Sequence, residues 1–268
     1  MATYHENLSF LKACITSVLN QTFKDFEFLI VIEPHEKNID FLQETASIDH
    51  RVRIIKNDRR LGVAGSRNRA ITECSGDYIA IVDGDDYCHP ERFERQLHFL
   101  EKDRVINVVG SNMYLVDEDD RVIGERRYPE FHLEIKRGFL FTMAVGNPTV
   151  MLRREDLRET GLFDSGFVKA EDFELWLRFL ANGKIMHNLQ ENLVYYRIQG
   201  KHNEKRGKIH WRNNYLARKR YGGALWRWNE RIFTLSIFFI VSHVPDTFVE
   251  KLLSLRAVDK MKRIKRSY

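Results

Sequence analysis

Short apolar runs of strand length, set apart by segments of helical periodicity, dominate the first third of the chain. Phe28-Leu-Ile-Val-Ile32 is followed by a strand-like stretch at 52–55 and by Tyr78-Ile-Ala-Ile-Val82. Each run is apolar on both faces and too short to be a buried helix, which implies burial on both sides. Before the first run, Leu8, Leu11, Ile15, Val18 and Leu19 recur at helical intervals. Further helices are expected at 39–45, 64–74 and 92–100, with another strand at 105–109. This alternation predicts an α/β fold, a mostly parallel sheet flanked by helices. In such sheets, ligands bind beyond the carboxyl ends of the strands.

Directly after the run that ends at Val82 stands Asp83-Gly84-Asp85-Asp86. Asp83 and Asp85 are two apart, so on an extended segment their carboxylates project to one side. Paired carboxylates are hard oxygen ligands for Mg²⁺ or Mn²⁺, and Gly84 leaves room for a ligand to approach. The competing reading is a solvated Asp-Gly turn. The position after a buried strand favours the ligand site.

At 268 residues, 43% hydrophobic and 30% charged, the chain is globular rather than disordered. Cys14, Cys74 and Cys88 are odd in number and lie among apolar neighbours, which reads as reduced thiols. No basic-then-apolar leader opens the chain, so no export signal is expected. The net charge of +5 is unevenly spread: residues 201–220 carry +7 and residues 251–268 carry +6, on an acidic body. Between these segments Trp226, Trp228, Ile232, Phe233, Leu235 and the run 237–241 form an apolar, aromatic stretch. That run is far shorter than the roughly 20 residues needed to span a bilayer. With the apolar stretch 248–255 and its basic tail, it suits a helix lying on an anionic membrane surface. A pair of ordinary packing helices is the alternative. No nucleic-acid partner is expected, because the apolar residues beside the basic tail suit lipid better than bases.

The motifs Leu61-Gly62, Ser66-Arg67-Asn68, Ser75-Gly76-Asp77-Tyr78-Ile79-Ala80 and Asp83-Gly84-Asp85-Asp86 resemble the nucleotide-sugar half of the family 2 inverting glycosyltransferases of GT-A fold. The likeness continues through Thr149-Val-Met-Leu-Arg153, Gly161-Leu-Phe-Asp164, Ala170-Glu-Asp-Phe-Glu-Leu-Trp-Leu-Arg178 and Tyr195-Tyr-Arg197, covering roughly residues 3–205. The resemblance implies a glycosyltransferase domain over 1–205, with a nucleotide-binding half to about 110 and an acceptor half beyond it. Residues 206–268 would be a basic, amphipathic helical extension.

Carried over residue by residue, the resemblance implies that Asp83 lies near the ribose and that Asp85 is the principal metal ligand, with Asp86 in support. His202 falls where some relatives place a histidine near the metal. The Glu171-Asp172 pair opens a helix and corresponds to the family's catalytic base, with Asp172 favoured because Trp176 and Phe179 share its face. Arg67 and Arg197 match diphosphate contacts, with structural ion pairs as the alternative for each. Thr3-Tyr4-His5-Glu6 resembles the base-binding loop, where Tyr4 would stack on the nucleobase and Thr3 bond its edge. Glu33 stands where relatives carry an aspartate that meets the base, and Pro34 replaces a glycine. Relatives also carry a buried first strand before the Thr-Tyr loop, whereas only Met1-Ala2 precede it here. A start upstream of Met1 is therefore expected.

The resemblance implies an inverting transferase that uses Mn²⁺ or Mg²⁺ and moves a sugar from a nucleoside-diphosphate sugar, most simply a UDP-sugar. The acceptor would be lipid-linked or a polysaccharide, at the cytoplasmic face of the membrane. The alternatives are a nucleotidyltransferase, which would want a basic glycine-rich loop near the N-terminus, and an inactive membrane-associated nucleotide-binding scaffold.

Overall fold

The computed structural model describes residues 1–199 and 207–244. The first part of the chain builds β1 (Ala2–Thr3), α1 (Leu8–Leu19), β2 (Phe28–Ile32), α2 (Ile39–Ile48), β3 (Val52–Lys56) and α3 (Gly62–Glu73). Next come β4 (Tyr78–Ala80), β5 (Tyr87–Cys88), α4 (Arg92–Lys102), β6 (Val108–Val116), β7 (Val122–Arg126), α5 (His132–Gly138), β8 (Met151–Arg153) and α6 (Arg154–Thr160). The chain closes with α7 (Glu171–Ala181), β9 (Met186–Arg197), α8 (Lys208–Leu225) and α9 (Trp228–His243).

β1, β2 and β3 form a parallel sheet in that order, and every residue of β2 is buried. The second sheet runs β4-β8-β6-β9-β5, with β7 hairpinned onto β6. The parallel pattern that the apolar runs predict holds for β1–β3 and for the β6–β9 pair. β8 runs antiparallel to both β4 and β6. A single parallel bridge between Ala2 and Asp83 connects the two sheets and sets the acidic cluster beside the loop after β1.

β1 is short, pairing Ala2 with Val31 and Thr3 with Ile32. The Met1 ammonium donates to the Leu29 carbonyl at 2.8 Å, and burial lowers its pKa to about 6. Alongside, between β2 and β4, lies a slot of about 1140 Å³ whose lining includes Phe28, Leu29, Tyr78, Ala80, Val82 and Met151.

The main core gathers around α7, whose Phe173, Leu175, Trp176, Leu177, Phe179 and Leu180 are all buried. Ala217, Leu225 and Trp226 belong to the same core, so α8 is built into the globule rather than hung from it. A second core fills the space around α1, β2 and α4. The three cysteines are free thiols, Cys14 and Cys88 buried. Among the described residues, no helix is long and apolar enough to cross a membrane. The basic tail at 251–268, the stretch 248–255 and His202 lie outside the described residues.

Candidate active site

The site forms where the loop after β4 meets the N-termini of α3 and α7. Arg67, on α3, is the link. Its Nη2 donates to Asp83 Oδ1 at 2.5 Å, and its Nη1 lies 3.5 Å from Glu171 Oε1. Residues far apart in sequence are thereby joined through one planar cation, whose fork geometry suits two carboxylates. Its Nε is buried without a partner. An unsatisfied buried charged donor is costly, so an anionic ligand reaching it would be stabilised.

Asp172 opens α7 beside Glu171. Burial raises its carboxyl pKa to about 7, the neighbouring Glu171 adds to the rise, and Arg67 opposes it. Its Oδ1 accepts the Phe173 amide at 2.7 Å, which also favours the ionised form. The expected companions on its face, Trp176 and Phe179, are fully buried and stack edge-to-face with ring centroids 5.6 Å apart. Asp172 is thus a buried carboxyl whose pKa is raised toward neutrality, first by burial and then by Glu171.

Within the acidic cluster the four residues differ. Asp85 accepts from Gln199 Nε2 at 2.9 Å, and its backbone carbonyl accepts from Arg197. Asp86 points inward: its Oδ1 accepts the Arg197 amide at 2.9 Å, while its Oδ2 is buried without a partner. Burial, then Asp85 and Asp83, push its pKa well up. Gly84 lies against the loop after β1, where an added Cβ would stand 3.4 Å from Glu6 Cγ and Thr3 Oγ1. No group of three His, Cys, Asp or Glu residues converges as a metal site among the described residues. Asp83 and Asp85 would offer a divalent cation one or two carboxylates, a donor set that fits Mg²⁺ or Mn²⁺ where phosphate oxygens and water supply the remaining ligands.

In the loop after β1, Thr3 is buried with Oγ1 unpartnered, and Tyr4 is partly exposed with the Arg60 guanidinium 4.9 Å from its ring centroid. His5 adopts φ +56° and donates its amide to Glu36 at 2.7 Å, which turns the loop outward.

Three further candidates have their polar groups taken up within the protein. Glu33 caps α3, accepting from Leu61 and Gly62 amides, the latter at 2.7 Å, and from the Ser66 hydroxyl at 3.0 Å. Gly62 itself has φ +70°, a conformation that favours glycine. Asn68 donates to and accepts from the Phe163 backbone at 2.8 and 2.9 Å. Arg197 has a fully buried guanidinium that bonds the Asp85 and Asp117 carbonyls and pairs with Asp120 at 2.6 Å, over the Phe10 ring. Its geometry is that of a clamp between β9, the β6–β7 turn and the acidic loop. Gln199 and Asp120 went unmarked in the sequence, because their partners lie 114 and 77 residues away.

The sequence model of glycosyl transferase family 2 matches residues 1–161. The chain is a family 2 glycosyltransferase. This glycosyltransferase is 32% identical to an uncharacterized glycosyltransferase of Methanocaldococcus jannaschii, over 94% of this chain and 90% of that one. It is 31% identical to the O-antigen biosynthesis glycosyltransferase WbnJ of Escherichia coli, covering 75% of this chain and 79% of WbnJ. The Escherichia coli UDP-Glc:α-D-GlcNAc-diphosphoundecaprenol β-1,3-glucosyltransferase WfaP is 29% identical over 69% of this chain and 71% of its own length. Among solved structures, S. aureus TarS 1–349 in complex with UDP-GlcNAc superposes with a TM-score of 0.69 at 19% identity, over 89% of this chain and 70% of TarS 1–349. At that identity the likeness is one of fold.

Proposed function

We propose that this enzyme transfers a sugar, with inversion, from a UDP-sugar to a hydroxyl of a lipid-linked or polysaccharide acceptor. The observation that carries this reading is Arg67, which joins Asp83 to the Glu171-Asp172 pair and keeps one buried donor unpartnered. Asp172 takes the proton of the acceptor hydroxyl as its oxygen attacks the anomeric carbon. The C–O bond to the nucleoside diphosphate breaks on the opposite face, and configuration inverts. Arg67 stabilises the departing diphosphate, and Tyr4 and Thr3 hold the base. A Mn²⁺ or Mg²⁺ ion on Asp85 and Asp83 would neutralise leaving-group charge.

The diphosphoundecaprenol-linked acceptor in the name of WfaP and the surface of α9 support this acceptor class. Trp228, Ile232, Phe233, Phe239 and Ile240 are exposed on one face of that helix. Tyr215 of α8 meets Phe239 with ring centroids 5.7 Å apart, and exposed Lys208, Arg212 and Lys219 continue along α8. Aromatics rimmed by lysine and arginine fit an anionic bilayer surface.

A thermal-shift panel of UDP, GDP, CDP and dTDP, each with and without Mn²⁺, tests the donor. Metal-dependent stabilisation by UDP is expected. A folded protein that responds to no nucleotide would sink the reading. Binding to anionic vesicles but not to DNA tests the membrane surface.

A further inference from the structure

α8 lies beyond the stretch that the family model covers, yet it holds the turn that delivers Asp172. His210 Nδ1 stands 2.7 Å from the Lys169 carbonyl, and Asn213 Nδ2 donates to the Val168 carbonyl at 2.8 Å. A carbonyl only accepts, so Nδ1 carries the proton and Nε2 is left to accept from Asn214 Nδ2 at 3.3 Å. Lys169 has φ +64°, a conformation that a non-glycine residue keeps only when its surroundings impose it. The side chains of Val168 and Lys169 are exposed and cannot impose it by packing, while the flanking Phe167 and Ala170 are buried. The Ala170 amide closes the turn on the Phe167 carbonyl at 3.0 Å, and the two carbonyls within it, those of Val168 and Lys169, are held by α8.

The same helix grips the other side of Asp172. The Arg218 guanidinium lies 4.2 Å from the Phe173 ring centroid, and the Tyr221 hydroxyl donates to buried Glu174 at 2.5 Å. Asp172 is thus bracketed by two sets of α8 contacts, one on the turn before it and one on the residues after it.

We infer that His210 and Asn213 are positioning residues for the base. They fix the Val168-Lys169 turn so that the Asp172 carboxyl is presented against Glu171 and Arg67. The inference rests on reading Asp172 as the base. Displacing a general base by about 1 Å reduces turnover by about 100-fold without weakening donor binding.

The test uses the full chain with His210→Ala, Asn213→Ala and His210→Asn, since an Asn Nδ2 can supply the donor that His Nδ1 supplies. Both alanine variants should lose about 100-fold in kcat with donor KM within about 2-fold. His210→Asn should recover most of the loss. Amide hydrogen exchange at 168–173 should speed by about 10-fold or more in the alanine variants, while exchange in β2 and β3 stays fixed. Unchanged exchange at 168–173, unchanged kcat, or a kcat loss matched by loss of donor affinity would each overturn the inference. Absence of transfer by the unsubstituted protein would instead condemn the proposed function, and the exchange measurement would still judge the tether.

Discussion

The guanidinium of Arg67 holds Asp83 at 2.5 Å, so a helix of the first sheet is fastened to the acidic loop of the second. The same cation lies 3.5 Å from Glu171 and opposes the rise in the Asp172 pKa. Three carboxyl groups therefore depend on one side chain.

Arg67→Ala should leave those carboxylates in mutual repulsion. UDP affinity is expected to fall by about 10-fold or more, and kcat/KM by about 1000-fold, because a charge-assisted contact to the diphosphate is lost as well. Arg67→Lys should recover little, since a point charge cannot reach both carboxylates. The pH profile of Arg67→Ala should move to higher pH, which initial rates between pH 6 and 9 would reveal.

If Asp172 is the base, its protonation sets both rate and stability. With a carboxyl pKa of about 7, activity should rise through neutrality to a plateau as the base ionises. For stability the sign is opposite. The folded-state pKa lies above the ordinary value, so folding favours the protonated form and stability falls as pH rises toward 7. Asp172→Asn removes that burden: it should abolish transfer, keep UDP binding, and melt higher than the parent at pH 8 but not at pH 4. Calorimetry at the two pH values checks it.

Arg218 is buried between the rings of Phe173 and Phe238, and burial alone holds its pKa well below the usual arginine value. It donates to the Leu140 carbonyl at 3.0 Å and to Asn214, with no carboxylate among those partners. Arg218→Ala would strand the Leu140 carbonyl and open a cavity among α7, α8 and α9. A loss of about 3–4 kcal/mol is expected in urea unfolding, and Arg218→Met should lose less by keeping the packing.

The aromatic face of α9 should be separable from catalysis. Phe233→Ser with Trp228→Ser removes two of its most exposed apolar side chains, 60% and 77% accessible. Vesicle binding should weaken by about 10-fold or more, while turnover of a soluble acceptor stays within about 2-fold. Co-sedimentation with anionic vesicles, beside an assay without lipid, measures both.

Much of this was readable from residues alone, and the limits are physical. β2 and the helix around Asp172 announce themselves because their whole faces are buried, and periodicity reports burial. β7 does not, since Val122 and Ile123 are exposed and Glu125 and Arg126 follow. The part played by Glu33 was equally silent. Its carboxylate is enclosed by Leu61, Gly62 and Ser66, and a cap supplied from 29 residues away leaves no local mark. The acidic cluster could be found by position, but Asp86 looked like its neighbours until burial set it apart.

The lone bridge between Ala2 and Asp83 gives the molecule a seam. Arg67 and the loop after β1 stand on one bank, while Asp83 and the Glu171-Asp172 pair stand on the other. A donor whose base rests on the first bank and whose diphosphate reaches the second acts as a stitch. Occupancy should therefore slow amide exchange on both banks together, because a bound donor would add contacts across a seam that the core around α1, β2 and α4 already spans.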